Sequence, residues 1–390
     1  HAEAKVCGLG QFHFYINGCK VEDHELDPGW TDYHKLIEYV TFNVTSYLKE
    51  GENVIGAEVG NGWFYKMDEH YTFKFPEFMP PNPNPYKPFG EELVLAVELM
   101  ITYVDGTVEV IHADEDFLVK EHPVVMSNVY GSETIDGRKN QDGWCTAEFN
   151  TTSWENASIV TKEKEPTGRM IDQIQPPVKV LHSYQGEYLN NVQSKDIYDF
   201  TQNMSGILEF EVKGKAGDEI HLYPAEKLAK NGDVDQMAKG WVNLDSCITY
   251  IIGQDDEWET CRMKFTYFAG RYVAIEKPEN CEMRNLTAHA ISSAYETDGT
   301  FTCDDKRYEQ IYSLVEKAVE ANMVSVHTDC PTIERFAWQE PNHLMAPAIM
   351  YMKNGCKLWE KFLLDMRTAQ HTAQDYFYDF EENKVYPGDG

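Results

Sequence analysis

At 390 residues the chain is longer than one ordinary core requires and implies roughly two to four domains. A composition that is 42% hydrophobic, 13% aromatic and 25% charged can bury several cores, which excludes a disordered chain. The 34 basic residues against 65 acidic ones leave a formal charge of −31, which repels phosphate backbones and anionic bilayers; neither nucleic acid nor membrane is expected as a partner, whereas a neutral substrate is not repelled.

The chain opens at His1 with no initiator Met and no basic-then-apolar leader, so export by a signal peptide upstream is left open. From there to about residue 290, apolar residues recur mostly with period two. Phe12, Phe14 and Ile16 follow it, as do Leu95, Val97, Leu99, Ile101 and Tyr103, which predicts strands with one buried face. Asn17-Gly18 and Asp105-Gly106 lie between such runs and suit antiparallel hairpins, because Asn and Gly tolerate positive φ. With no helical pattern intervening, a β-sandwich or jelly roll is expected over residues 1–175. Pro76 to Pro88 carries six prolines and reads as a long extended surface insertion. Trp30, Tyr33, Trp63, Phe64 and Tyr65 read as core packing in preference to a sugar platform. Gly8-Leu9-Gly10 precedes a strand and not a helix, which argues against a dinucleotide loop.

Charge, Gly168 and Pro176-Pro177 break the pattern between residues 166 and 177, and this places a domain boundary there. A second antiparallel β-sandwich or jelly roll is expected over 176–292, with Ile207, Phe210, Val212, Ile220 and Leu222 among its buried positions. After Thr300 the period lengthens. Asp304 or Asp305 can cap a helix that carries Ile311, Leu314, Val315, Ala318, Val319 and Asn322 on one face. A second apolar helix is expected near Leu344 to Met352, and a third bearing Leu358, Trp359, Phe362, Leu363 and Met366. Residues 293–390 therefore form a helical domain that reads as the opening of a larger array. Tyr386 to Gly390 reads as a turn, and the chain is expected to be a fragment at both ends.

The nine cysteines (Cys7, Cys19, Cys145, Cys247, Cys261, Cys281, Cys303, Cys330, Cys356) are an odd number without a CxxC pair, so no disulfide framework or zinc site is expected and localisation leans towards the cytoplasm. The longest apolar run, Leu93 to Val104, is interrupted by Glu98 and is too short to span a bilayer.

Hydrolysing a glycosidic bond requires one carboxyl group near the leaving oxygen and a second carboxylate to activate water or attack the sugar. Asp329, Glu334 and Glu340 fall within twelve residues beside Phe336 and Trp338, directly after a helix. Trp338 offers a flat face for a sugar's C–H surface, and Pro331 forces a turn after Asp329. Taken alone, such a cluster is more often what a solvated acidic surface presents. His327 and Cys330 have metal-like spacing without a second pair and read as structural, so no metal is expected.

The segment Asp329-Cys330-Pro331-Thr332-Ile333-Glu334-Arg335-Phe336-Ala337-Trp338 resembles the motif that opens the catalytic helical domain of glycoside hydrolase family 78, the bacterial α-L-rhamnosidases. Upstream, Tyr15-Ile16-Asn17-Gly18, Leu26 to Tyr33, Gly51 to Gly56 and Gly60-Asn61-Gly62-Trp63 are similar to that family's first β domain. Tyr198 to Asn203, Ala225 to Leu228 and Phe265 to Tyr272 resemble its next one, so the likeness runs along nearly the whole chain in the family's order. The resemblance implies β domains packed on an (α/α)6 barrel and an inverting hydrolase of terminal α-L-rhamnosyl groups, with a rhamnose-containing carbohydrate as partner. It implies Glu334 as general acid, Asp329 as the group that orients the sugar, and Arg335 and Trp338 as pocket lining. Ile333 replaces a usual Arg, Ala337 a usual Gly, and Pro341 a further acid for which Glu340 is a stand-in. It also implies that the general base lies beyond Gly390, so that the chain alone is inactive. No cofactor is expected, since two carboxylates supply acid and base. A non-catalytic carbohydrate-binding or scaffolding protein with a degenerate helical part is the alternative, and homo-oligomerisation is left open.

Overall fold

The computed structural model describes residues 1–65, 89–236 and 246–370, with the backbone of two short paired strands, Phe377–Asp379 and Lys384–Tyr386. The insertion expected at Pro76 to Pro88 lies outside the described residues, as do residues 387–390 of the expected terminal turn.

The first β unit is a sandwich of a five-stranded and a three-stranded sheet. The larger sheet runs in the order Arg169–Asp172, Leu36–Asn43, Ala2–Leu9, Val94–Thr102 and Val108–His112; the smaller runs Cys19–Lys20, Gln11–Ile16 and Ile55–Gly60. Period two does what it should: Ala2, Ala4 and Val6 turn inward to meet Phe12, Phe14, Ile16, Val40, Phe42, Val97 and Leu99. The Asn17-Gly18 hairpin has both residues at positive φ, with Ile16 directly opposite Cys19.

A ten-stranded sheet follows, organised on Lys195–Lys213. That strand kinks where Asp199 Oδ1 accepts from the Thr201 amide at 2.6 Å and Thr201 takes a φ of +64°. Before the kink it pairs with Glu187–Val192; after it, with Glu259–Arg262 and Glu282–Ser292. Arg271 forks onto the Asp199 carboxylate at 2.7 and 2.6 Å and locks the kink from the next strand.

Two features depart from the sequence reading. Val124–Asn128 and Ser132–Asp136 belong to the ten-stranded sheet although they precede residue 175, while Arg169–Asp172 returns to the first. The ladders are also not uniformly antiparallel: Ser132–Asp136 runs parallel to Ile248–Ile251, and Arg169–Asp172 parallel to Leu36–Asn43. Both follow from the chain crossing between units, which local periodicity does not register.

Close approach and buried charge join the two units. A Cβ on Gly60 would lie 2.1 Å from the Phe265 ring, so only glycine allows that contact, and Asn61 Nδ2 donates to the Ser127 carbonyl at 2.9 Å. Glu58 accepts from Tyr15 Oη (2.8 Å), His122 Nε2 (2.8 Å) and Lys264 Nζ (2.6 Å). Glu25 pairs with Arg262 Nη2 at 2.8 Å and Lys20 Nζ at 3.2 Å. His13 lies between the two carboxylates.

The helical segment comprises α1 (Lys306–Ala321), α2 (Gln339–Met352) and α3 (Cys356–Ala369). Asp305 caps α1 by accepting from the Arg307 amide at 3.0 Å. Val319, Met323, Ile349, Met352 and Leu358 form its core. The apolar stripes are wider than the contacts they make: Val315 and Val319 of α1 pack inward, whereas Ile311 and Leu314, and Leu344 and Leu363 on the other helices, remain exposed. Lys353, after α2, is buried and ion-paired to Glu316 (3.0 Å) and Glu320 (2.9 Å) of α1. Lys353→Met leaves those two carboxylates facing one another, and α1 and α2 are expected to lose about 2 kcal/mol of protection against amide exchange. Unchanged exchange in both helices would show the pair to be energetically idle.

Candidate active site

The C-terminus of α1 lies against the ten-stranded sheet, where Ser205 Oγ donates to the Ala321 carbonyl at 2.5 Å. Two short strands, Met323–Val324 and Val326–His327, then reverse the chain through Ser325, at a φ of +61°. The loop that follows is closed by Asp329 at both its polar ends. Its amide donates to the Phe336 carbonyl at 2.9 Å, and its Oδ1 accepts from the Phe336 amide at 3.0 Å. Inside the loop Pro331 to Glu334 form a turn, and the Glu334 amide donates to Cys330 Sγ at 3.3 Å. Burial pushes the Cys330 thiol's pKa up, so this sulfur serves as an acceptor and not as a nucleophile.

Arg335, at a φ of +59°, then sends its side chain away from Glu334. An L residue holds that conformation at a cost of roughly 1–2 kcal/mol, which its contacts offset. Nη1 donates to the carbonyls of Val129 (2.8 Å) and Tyr267 (2.9 Å), and the guanidinium carbon stands 3.8 Å from the centre of the Tyr267 ring. Arg335 is 3% exposed, so it anchors the loop to the ten-stranded sheet, and it lines a pocket together with Trp63, Tyr267 and Thr328. Burial lowers its pKa, yet a guanidinium keeps its charge in a protein.

Glu334 is half-buried, and its Oε2 accepts from Trp338 Nε1 at 2.6 Å. Oε1 is left without a protein partner among the described residues. The Trp338 indole is half-exposed and meets the Phe336 ring edge-on, 5.6 Å between centroids. Phe336 packs in turn on Trp30 and Trp63, which stack on one another at 4.4 Å. The aromatic group of the first sandwich thus divides: Tyr33 and Phe64 are buried in its core, while Trp30 and Trp63 carry the site loop. Glu340 stands exposed in the first turn of α2, where an anion is favourable at a helix N-terminus.

The structure therefore places Asp329 and Glu334 on one closed loop with Trp338 bonded to Glu334, while Arg335 points away from Glu334 and Glu340 sits in the first turn of the helix that follows. Asn342 was not legible beforehand. It is 1% exposed, donates to the carbonyls of Trp338 (2.7 Å) and His327 (3.3 Å), and pins α2 to the strand at Val326–His327. His327 Nδ1 lies 3.2 Å from Asn342 Oδ1, and burial lowers the imidazole's pKa. Among the described residues no three His, Cys, Asp or Glu side chains stand together as a metal site would need.

Family models match this chain in order: the α-L-rhamnosidase N-terminal domain over residues 1–182, the bacterial α-L-rhamnosidase concanavalin-like domain over 190–292, and the bacterial α-L-rhamnosidase six-hairpin glycosidase domain over 296–380. An α-L-rhamnosidase of Formosa agariphila is 29% identical over 378 residues, which are 94% of this chain and 38% of that protein. One from Streptomyces avermitilis is 28% identical over 384 residues, 97% of this chain and 35% of the relative. The structure superposes on the α-L-rhamnosidase from Dictyoglumus thermophilum with a TM-score of 0.83 at 26% identity, covering 96% of this chain and 40% of that one. On the Streptomyces avermitilis α-L-rhamnosidase complexed with L-rhamnose it gives 0.83 at 26% identity, with 97% and 35% covered. The chain thus spans well under half the length of the relatives it matches.

Proposed function

This chain belongs to the bacterial α-L-rhamnosidases of glycoside hydrolase family 78, and on that premise we propose that the protein bearing it removes terminal α-L-rhamnose from glycans or glycosides with inversion. Glu334 is the general acid. The observation that carries this is its carboxyl, held through one oxygen by the Trp338 indole while the other is left without a protein partner, on a loop that Asp329 closes. A proton donor needs a fixed position and one free oxygen, and this geometry supplies both. Asp329 orients the sugar through its second oxygen, Trp338 stacks on the ring, Glu340 is an accessory acid, and Arg335 positions the loop from behind.

Inversion requires a second carboxylate roughly 6.5–9.5 Å from the acid, with a water between. We place that base in a part of the protein outside these 390 residues, in the remainder of an (α/α)6 barrel that α1, α2 and α3 begin. The Streptomyces avermitilis relative crystallised with L-rhamnose supports rhamnose as the sugar.

The longer protein is expected to hydrolyse an aryl α-L-rhamnoside and release β-L-rhamnose first, seen by proton NMR before mutarotation, while the 390-residue chain alone shows no turnover. Initial release of the α-anomer would overturn inversion. Hydrolysis by the chain alone would overturn the placing of the base, and rhamnose binding without turnover by the longer protein would favour a carbohydrate-binding module.

A further inference from the structure

Arg335 lines a cavity of about 40 Å³ whose wall draws on all three parts of the chain: Gln11 from the first sandwich, Thr266 and Tyr267 from the second β unit, and Arg335 from the loop after the first helix. We propose that this cavity binds a small monovalent anion of halide size, held by Arg335 and Thr266.

Leu26, Val129 and Phe265 line the cavity beside polar residues, and three of its lining side chains carry a buried polar atom without a partner: Arg335 Nε, Thr266 Oγ1 and Gln11 Oε1. Buried polar atoms are seldom left so, because each forfeits its hydration. The guanidinium adds a second demand. Arg335 is 3% exposed and, among the described residues, no carboxylate is paired with it. The Val129 and Tyr267 carbonyls and the Tyr267 ring give it dipoles but no countercharge.

Water satisfies the hydrogen bonds and leaves the charge; an anion satisfies both. The Arg335 Nε–H and the Thr266 hydroxyl are donors, and the Gln11 amide can turn its NH₂ inward by a flip of its end. Charge sets the class: one unpaired guanidinium calls for a monovalent anion, and about 40 Å³ of space accommodates one halide with a companion water. The site does not require that Glu334 be a general acid.

The test is thermal unfolding of the 390-residue chain in sodium bromide or chloride against sodium gluconate at equal ionic strength. A saturable rise in midpoint of about 2 °C or more is expected at about 0.1 M halide and absent in gluconate. Thr266→Val should abolish the response. Gln11→Glu, which places a carboxylate on the same wall, should abolish it and raise the midpoint in gluconate, so the proposal stays testable if the valine variant does not fold. Crystals soaked in bromide should show an anomalous peak within hydrogen-bonding distance of Arg335 Nε. Equal midpoints in halide and gluconate, or ordered water alone in that cavity, would overturn the proposal.

Discussion

Glu334→Gln in the longer protein is expected to lower kcat on rhamnosides with sugar or alkyl leaving groups by ~10²–10⁴-fold, with KM nearly unchanged. The amide oxygen of Gln can still accept from Trp338 Nε1, which lies 2.6 Å from the native carboxylate, so the loop keeps its geometry and only the proton is lost. Because a good leaving group needs little protonation, the loss should shrink towards tenfold on dinitrophenyl rhamnoside. That gradient separates loss of an acid from loss of structure, which would slow all substrates alike. Two neighbours serve as controls. Asp329→Asn preserves an acceptor for the Phe336 amide, so its effect reports the charge facing the sugar. Glu340→Gln, on an exposed first helical turn, is expected to change turnover less than about threefold. Wild-type turnover by the Glu334→Gln protein would transfer the acid role to one of these two.

Legibility in the sequence followed the range of the interaction. The Asp305 cap, the Asn17-Gly18 hairpin and the closure of the loop after Pro331 rest on residues within a few positions of one another, and local chemistry announces them. The direction of Arg335 was not legible, because it depends on a left-handed φ and on carbonyls 206 and 68 residues away. The exposure of Ile311 and Leu314 was hidden for a related reason: the stripe on α1 records all the surface it can bury, and the packing seen here uses only part of it. Glu25 and Arg262, 237 residues apart, carry no sequence pattern that would pair them.

The second large effect lies in that buried ion cluster. Glu58→Ala is expected to destabilise the β portion of the chain by up to about 3 kcal/mol, read from the urea midpoint, because it strands the part-buried Lys264 and His122 between the two units. Burial alone would push the Glu58 carboxyl up, but hydrogen bonds from His122 and His13 and the charge of Lys264 outweigh it and hold the pKa well below the carboxylate range. A carboxylate with a depressed folded pKa contributes stability that is present above its unfolded value and lost as pH falls below it. His122 shares that sign, since burial lowers its pKa and protonation then favours the unfolded chain. Glu133 has the opposite sign. Fully buried, it accepts from the Lys264 and Phe265 amides, and burial raises its pKa to about 7, so it costs up to about 3 kcal/mol as pH rises from 4.5 to 7. Removing Glu58 takes away the group that raises the His122 pKa, so burial lowers it further and the variant should lose more stability to acid below the imidazole's unfolded value. Adding Lys264→Met to Glu58→Ala should recover part of the loss, since an apolar pair at a part-buried interface costs less than one unpaired charge. If the two losses simply add, Lys264 is solvated well enough to do without its partner, and the cluster holds the units together by shape and not by charge.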